Sequence, residues 1–272
     1  MAVLRPRVMG IVNVTPDSFS DGGRHDTVEA AVAHGLELVR QGADILDVGG
    51  ESTRPGAEPV SVQDEVMRTA PVIAGLRALW DGPISIDTMK PEVAAAAVGA
   101  GANIWNDVTA LGFSPVSLPT AVDLGCDVVL MHMKGEPRTM QDAPHYDDVV
   151  SEVVDWLAVR AGEVMAAGIP PGRLWLDPGI GFGKTLAHNM ALTANLERLG
   201  ATGLPVLYAA SRKRTIAAID PTAVEATDRL GGSLALALEA ARRGAQIIRV
   251  HDVRETVQAL AVQAAVMAAV AT

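Results

Sequence analysis

Polar and charged residues close a series of short apolar runs. Asn13 follows Val8-Met9-Gly10-Ile11-Val12, Asp47 lies in Asp44-Ile45-Leu46-Asp47-Val48, Asp87 ends Pro83-Ile84-Ser85-Ile86, and Asn106 with Asp107 follows Ile104-Trp105. Further along stand His132 after Asp127–Met131, Asp177 after Arg173–Leu176, Ser211 and Lys213 after Pro205–Ala209, and Arg249 and His251 around Val250. Any one of these could cap a helix or sit as a paired buried carboxylate. The whole series, mixing carboxylates and amides with Lys213, Arg249 and His251, suits a polar heterocycle with an anionic tail. Carboxylates accept paired ring N–H donors, and fixed cations hold the tail.

Two long loops extend the pattern. Asn13–Gly23 and Gly49–Gly56 are rich in Gly, Pro, Ser and Thr and exceed a minimal strand-to-helix connection. An arginine, Arg54, among such residues offers bidentate donors and close backbone approach to an anion. Other motifs fail on inspection. Gly183-Lys184-Thr185 resembles the end of a phosphate-binding loop, but that motif needs Gly at 178, where Pro stands. Cys126 opens an apolar run and reads as a small core residue.

The elements that must position these groups form eight strand-helix units. The strands are 8–12, 44–48, 83–87, 103–106, 127–131, 173–177, 205–209 and 246–250. The expected helices are 27–41, 61–79, 91–100, 114–124, 146–167, 186–199, 224–243 and 254–271. The strands are near-continuous apolar runs, as in parallel sheets covered by helices. Gly42-Ala43-Asp44, Gly101-Ala102-Asn103 and Gly244-Ala245-Gln246 place glycine at helix ends just before a strand. No linker or charge block divides residues 1–272, so the chain reads as one α/β domain, a single-domain (β/α)8 TIM barrel, with a doubly wound open sheet as the alternative. In such barrels reactive groups sit at the C-terminal strand ends. From Ala259 to Ala271 only Gln263 is polar. That helix is either packed on several sides within one chain or shared with a second copy in a homodimer.

Composition bounds the function. The 272 residues are 49% hydrophobic and 20% charged, with 22 basic against 32 acidic side chains and a net charge of −10. A core is available, and the charge argues against nucleic-acid binding, which needs a basic footprint. One cysteine excludes an internal disulfide or a cysteine metal cluster. No apolar run is long enough for a membrane span and no leader is recognisable, so a cytoplasmic protein is expected.

The chain resembles the dihydropteroate synthases over essentially its whole length. The resemblance rests on Gly10–Gly23, Asp47-Val-Gly-Gly-Glu51-Ser-Thr53-Arg54-Pro55-Gly56, Ser85-Ile-Asp87-Thr and Asn106-Asp107-Val. It continues with Leu176-Asp177-Pro-Gly-Ile-Gly181-Phe182-Gly183-Lys184, Ser211-Arg212-Lys213 and Arg249-Val-His251-Asp252, in family order. It implies a barrel that joins 6-hydroxymethyl-7,8-dihydropterin pyrophosphate to p-aminobenzoate. Asp87, Asn106, Met131, Asp177, Gly181, Lys213 and Arg249 would then form the pterin pocket. Asn13, Thr53, Arg54 and His251 would bind the pyrophosphate, with Asn13 helping to place Mg²⁺. Phe19, Pro55, Phe182 and Ser211 would border the p-aminobenzoate slot, where sulfonamides would compete. Asp87, Lys213, Arg249 and His251 are the groups implied for catalysis. The chain departs from the family at Thr215-Ile216-Ala217, where an aromatic and a glycine are usual, and at Ala209-Ala210 before Ser211, where a glycine is common. A pterin-dependent methyltransferase barrel would share the pterin pocket but predicts neither the Ser-Arg-Lys nor the Ser-Thr-Arg-Pro segment. A catalytically silent pterin-binding relative is the other alternative.

Overall fold

The computed structural model describes residues 5–14, 24–52, 58–135 and 139–270. Eight parallel strands are present: β1 (Arg7–Asn13), β2 (Ile45–Gly49), β3 (Ile84–Asp87), β4 (Ile104–Asp107), β5 (Asp127–Met131), β6 (Leu174–Asp177), β7 (Leu207–Tyr208) and β8 (Ile247–Val250). Their order is β6-β5-β4-β3-β2-β1-β8-β7. A parallel bridge between Leu176 and Val206 brings the two edges together. The sheet therefore curls into a nearly closed (β/α)8 barrel, which excludes the open-sheet alternative.

The surrounding helices are α1 (Arg24–Arg40), α2 (Val62–Leu79), α3 (Pro91–Gly99), α4 (Ser117–Leu124), α5 (Val149–Ala166), α6 (Leu186–Ala194), α7 (Glu197–Gly200), α8 (Arg214–Ile219), α9 (Leu230–Arg242) and α10 (Val253–Val270). Side-chain caps set several starts. Ser61 accepts from the Asp64 amide at the head of α2, and Asp148 accepts from the Val150 and Ser151 amides at the head of α5. Three expectations fail for local reasons. The helix expected over 186–199 breaks at Asn195, whose side chain donates back to the Ala191 carbonyl. The helix expected from 224 begins at 230, because Asp228 bonds back to the Glu225 amide and holds a 3₁₀ turn over Ala226–Arg229. No helix was expected between the strand ending at 209 and residue 224, yet the segment after Lys213 forms α8.

Strand alternation builds two layers inside the barrel. Met9, Ile45, Ile104, Val129, Trp175, Leu207 and Ile247 make an apolar floor. Two residues further along their strands, on the same inward face, stand Asp47, Asn106, Met131, Asp177 and Arg249. The outward residues, among them Val8, Leu46, Val48, Leu130 and Leu176, pack with the helices in the larger core. One face of α10 packs on α9 and β1. Its other face leaves Val262, Val266 and Met267 exposed. Among the described residues no helix is long and apolar enough to cross a membrane.

Candidate active site

The inward residues at the C-terminal strand ends meet as a charged ring above the apolar floor. Arg249 is its hub, donating from Nε to Asp47 at 2.5 Å and from Nη2 to Asp87 at 2.6 Å. Asp47 is completely buried and also accepts from the Asn106 amide at 3.3 Å. Burial pushes the Asp87 carboxyl up to about 7, against the pull of Arg249. Asp47 belongs to the strand-ending polar series read from the sequence, but the family resemblance gave it no role in the pocket. Its position two residues beyond the inward Ile45, on a strand otherwise buried, is the signal for it.

The opposite wall is made by the loops after β6 and β7. Asp177 is buried and accepts the Gly179 amide at 2.7 Å through Oδ1. Burial raises its pKa, and Lys213 is the main opposing influence. Burial in turn lowers Lys213 to about 8, with Asp177 opposing. Lys213 donates to the Ile180 carbonyl, and its Nζ lies 4.6 Å from the centre of the Phe182 ring. A Cβ on Gly181 would stand 3.3 Å from the Lys213 stem. Gly181, Phe182 and Lys213 thus form one surface, with Asp177 electrostatically linked to it.

That surface is held from below. Gly179 and Gly183 adopt φ of +68° and +62°, and a Cβ on them would stand 2.0 Å and 2.2 Å from the His132 and Lys134 carbonyl oxygens. Only glycine permits both the conformation and this approach. Lys184 is buried beneath and donates to the carbonyls of His132 and Phe182 and to His132 Nδ1, at 3.0–3.1 Å. Burial lowers Lys184 to about 7 and the His132 ring to about 3, so His132 is a neutral acceptor there. Asn189 accepts the Gly181 amide at 2.8 Å and donates to the Thr215 hydroxyl at 3.3 Å. Thr215, one of the departures from the family pattern, therefore helps seat Gly181. Its neighbour Ile216 packs against Gly232.

At the rim, Ser211 Oγ and His251 Nδ1 are 3.0 Å apart, and the Ser211 hydroxyl also accepts the His251 amide. Arg212, between Ser211 and Lys213, turns away with φ of +58° and pairs with Asp252. This pair ties the segment after β7 to the segment after β8 and accounts for the arginine in Ser-Arg-Lys. Asn13 ends β1 at the same rim, and Met131 is buried at the end of β5. Asp107 faces elsewhere: its carboxylate accepts from Thr109 N, Thr109 Oγ1 and Leu111 N and shapes the turn after β4. Lys90 is sandwiched between Glu51 and Glu65 at 2.5 and 2.6 Å, and Glu51 also accepts the Val60 amide. This buried triad anchors both ends of the second loop. Phe19, Thr53, Arg54 and Pro55 lie outside the described residues.

The model of the family described as pterin binding enzyme matches residues 9–251. The chain belongs to the pterin-binding enzyme family. Within that family it is 48% identical over 264 residues to the dihydropteroate synthase of Escherichia coli K12, covering 97% of this chain and 93% of that one. It is 49% identical over 263 residues to that of Neisseria meningitidis serogroup B, covering 95% and 92%. Among solved structures of the family, a Xanthomonas albilineans dihydropteroate synthase with 4-aminobenzoic acid matches with a TM-score of 0.90 and 56% identity, covering 98% and 94%. A Yersinia pestis dihydropteroate synthase in a sulfonamide drug complex matches with a TM-score of 0.92 and 44% identity, covering 98% and 96%.

Proposed function

We propose that the whole chain acts as one catalytic domain, a dihydropteroate synthase, condensing 6-hydroxymethyl-7,8-dihydropterin pyrophosphate with p-aminobenzoate to give 7,8-dihydropteroate and pyrophosphate. The observation that carries this reading is the single ring of Asp87, Asn106, Asp177, Lys213 and Arg249 at the barrel mouth, its amide and Asp177 buried and the others half-buried, in a chain of this family. Asp177 presents carboxylate oxygen to the donor edge of a pterin, and Asn106 supplies both an acceptor and a donor. Lys213 balances the charge of Asp177 and donates to ring acceptors, while Met131 and Gly181 bound the flat cavity. His251 and Asn13 at the rim, with Thr53 and Arg54 on the second loop, would take the pyrophosphate. Phe182, Ser211, Phe19 and Pro55 would border the p-aminobenzoate slot, which sulfonamides would share.

The residues imply a dissociative displacement. Electron donation from the pterin ring lets the exocyclic C–O bond break, with the bonding pair leaving on pyrophosphate. Arg249 faces two carboxylates, Asp47 and Asp87. With both ionised, the cluster carries one surplus negative charge beside the ring, which favours a developing pterin cation. The neutral arylamine then attacks and releases a proton. The chain's contribution is positioning and electrostatics, with no covalent intermediate on a side chain.

Among the described residues no group of three or more His, Cys, Asp or Glu could hold a metal. The amide oxygen of Asn13 is a single hard donor, which fits Mg²⁺ carried chiefly by the diphosphate. When bound, that ion would offset charge on the leaving group. We further infer a cytoplasmic homodimer paired through the exposed Val262-Val266-Met267 face of α10, checked by sedimentation of the Val266→Glu variant. The decisive assay for the reaction is pyrophosphate release. Turnover that requires both substrates supports the reading, and pterin binding without release makes the chain a silent pterin binder.

A further inference from the structure

At the opposite, N-terminal end of the barrel, strand entrances share a device. Asp44, Asn103 and Gln246 each stand immediately before a strand, after Gly-Ala. Each accepts an amide from the neighbouring strand's entrance: Asp44 from Val8 N at 2.8 Å, Asn103 from Ile84 N at 2.8 Å, Gln246 from Val206 N at 2.6 Å. Gly125-Cys126-Asp127 is a fourth copy, leading into β5 with Asp127 opposite Ile104. Here the bond is not made. Among the described residues the Asp127 carboxylate accepts no hydrogen bond, and the charges that act on it are those of Arg173 and Arg7.

Instead, Asp127 borders a cavity of about 510 Å³ shared with Arg7, Arg173, Asn103 and Trp175. The Arg7 guanidinium lies 5.7 Å from the centre of the Trp175 ring. Arg173 Nη1 comes within 3.4 Å of where a Cβ on Gly125 would stand. Neither arginine has a carboxylate within ion-pair distance among the described residues. The floor layer of Met9, Ile45, Ile104, Val129 and Trp175 separates this cavity from the charged ring above.

We propose that this floor cavity binds a small amino dicarboxylate, its two carboxylates held by Arg7 and Arg173 and its ammonium by Asp127. The cavity presents two positive charges and one negative. The complementary ligand carries two negative charges and one positive. A plain dianion would leave the Asp127 carboxylate facing an anion, and a cation would meet two guanidiniums. Guanidiniums suit carboxylates because they donate in pairs. The volume lies in the range of metabolite sites, and Pro83, Ile104 and Trp175 offer an apolar wall for a methylene chain.

The experiment is calorimetric titration of the full chain with L-glutamate, L-aspartate, glutarate and 4-aminobutyrate. Saturable binding of L-glutamate or L-aspartate is expected, with glutarate and 4-aminobutyrate each weaker by about tenfold or more. Arg173→Gln and Arg7→Gln should each weaken the amino dicarboxylate by a similar factor. Asp127→Asn should abolish the preference over glutarate. All three variants should keep wild-type pyrophosphate release, which establishes that they fold. If Asp127→Asn fails that check, the two arginine variants, altered at exposed side chains, still decide. The proposal is overturned by no saturable binding up to tens of millimolar, by binding that both arginine variants retain, or by binding that p-aminobenzoate competes away, which would place the ligand at the other end of the barrel.

Discussion

Two walls of the same pocket are built by different physics. The wall from β2, β3, β4 and β8 is a charge cluster: Asp47, Asp87 and Asn106 arranged around Arg249, each on a strand whose register fixes it. The wall after β6 and β7 is a backbone surface held by glycine packing, by Lys184 donating to carbonyls and by Asn189 accepting the Gly181 amide. Removing a charge from the first leaves buried groups uncompensated. Altering the glycine packing of the second moves the surface and leaves the charge balance intact. The first should therefore be costly to stability and pH-dependent, and the second costly mainly to ligand affinity.

The largest expected effect is at the hub. Arg249→Met leaves Asp47 and Asp87 buried without their cation and should cost roughly 3–5 kcal/mol in denaturant unfolding. Arg249 is what pulls Asp87 down, so without it the carboxyl rises further above about 7. Protonation then relieves the penalty. The deficit should be full only above that raised pKa and shrink as pH falls through it. A deficit independent of pH would mean that lost packing, and not charge, holds this wall.

On the other wall, Asp177→Asn should separate stability from binding. The amide oxygen can still accept the Gly179 N–H, and Lys213, its pKa already lowered by burial, can release its proton when the Asp177 charge is gone, so the melting temperature should fall only slightly. The amide nitrogen then presents a donor to pterin donors, costing on the order of 3 kcal/mol, or ~100-fold in affinity. Calorimetry with a pterin lacking pyrophosphate checks this. Near-wild-type binding would remove Asp177 from the pocket.

Lys213 tests the same wall through pH. Its ammonium form balances Asp177, and burial lowers its pKa to about 8. Above that pH the free enzyme loses the proton, and kcat/KM should fall by about tenfold per unit. Lys213→Arg, which keeps its charge, should abolish the alkaline limb. If the limb persists, another group sets it.

The smallest effect should come from Thr215→Val, which removes the acceptor of one Asn189 N–H and should cost about 1 kcal/mol of stability. Pterin affinity should drop only a few-fold, through Gly181. A loss as large as that of Asp177→Asn would show that the loop surface tolerates no displacement at all.

Strand-ending polar residues and their shared loops were legible in the chain because alternation in a strand has a period of two. An inward apolar residue such as Ile45 or Trp175 fixes where Asp47 or Asp177 must point. The eight-unit rhythm likewise carried the barrel, since parallel strands need a helix on each crossover. Other features needed the hydrogen bonds of the folded chain, some local and some distant. Asp107 faces outward by the same alternation that turns Asn106 inward, and there the Thr109 and Leu111 amides capture its carboxylate. Arg212 leaves the pocket for Asp252, 40 residues away. The break at Asn195 and the extra α8 lie where side-chain hydrogen bonds and packing, such as Ile216 against Gly232, outweigh local propensity.

The sequence by itself therefore determined the chemistry available at the top of the barrel, because residue type and strand periodicity are local. Tertiary structure alone decided the pairing. Arg249 has two carboxylates, Lys184 lies under the glycine loop and the Asp127 carboxylate caps no amide among the described residues, because closing the barrel sets distances between residues that no sequence spacing encodes.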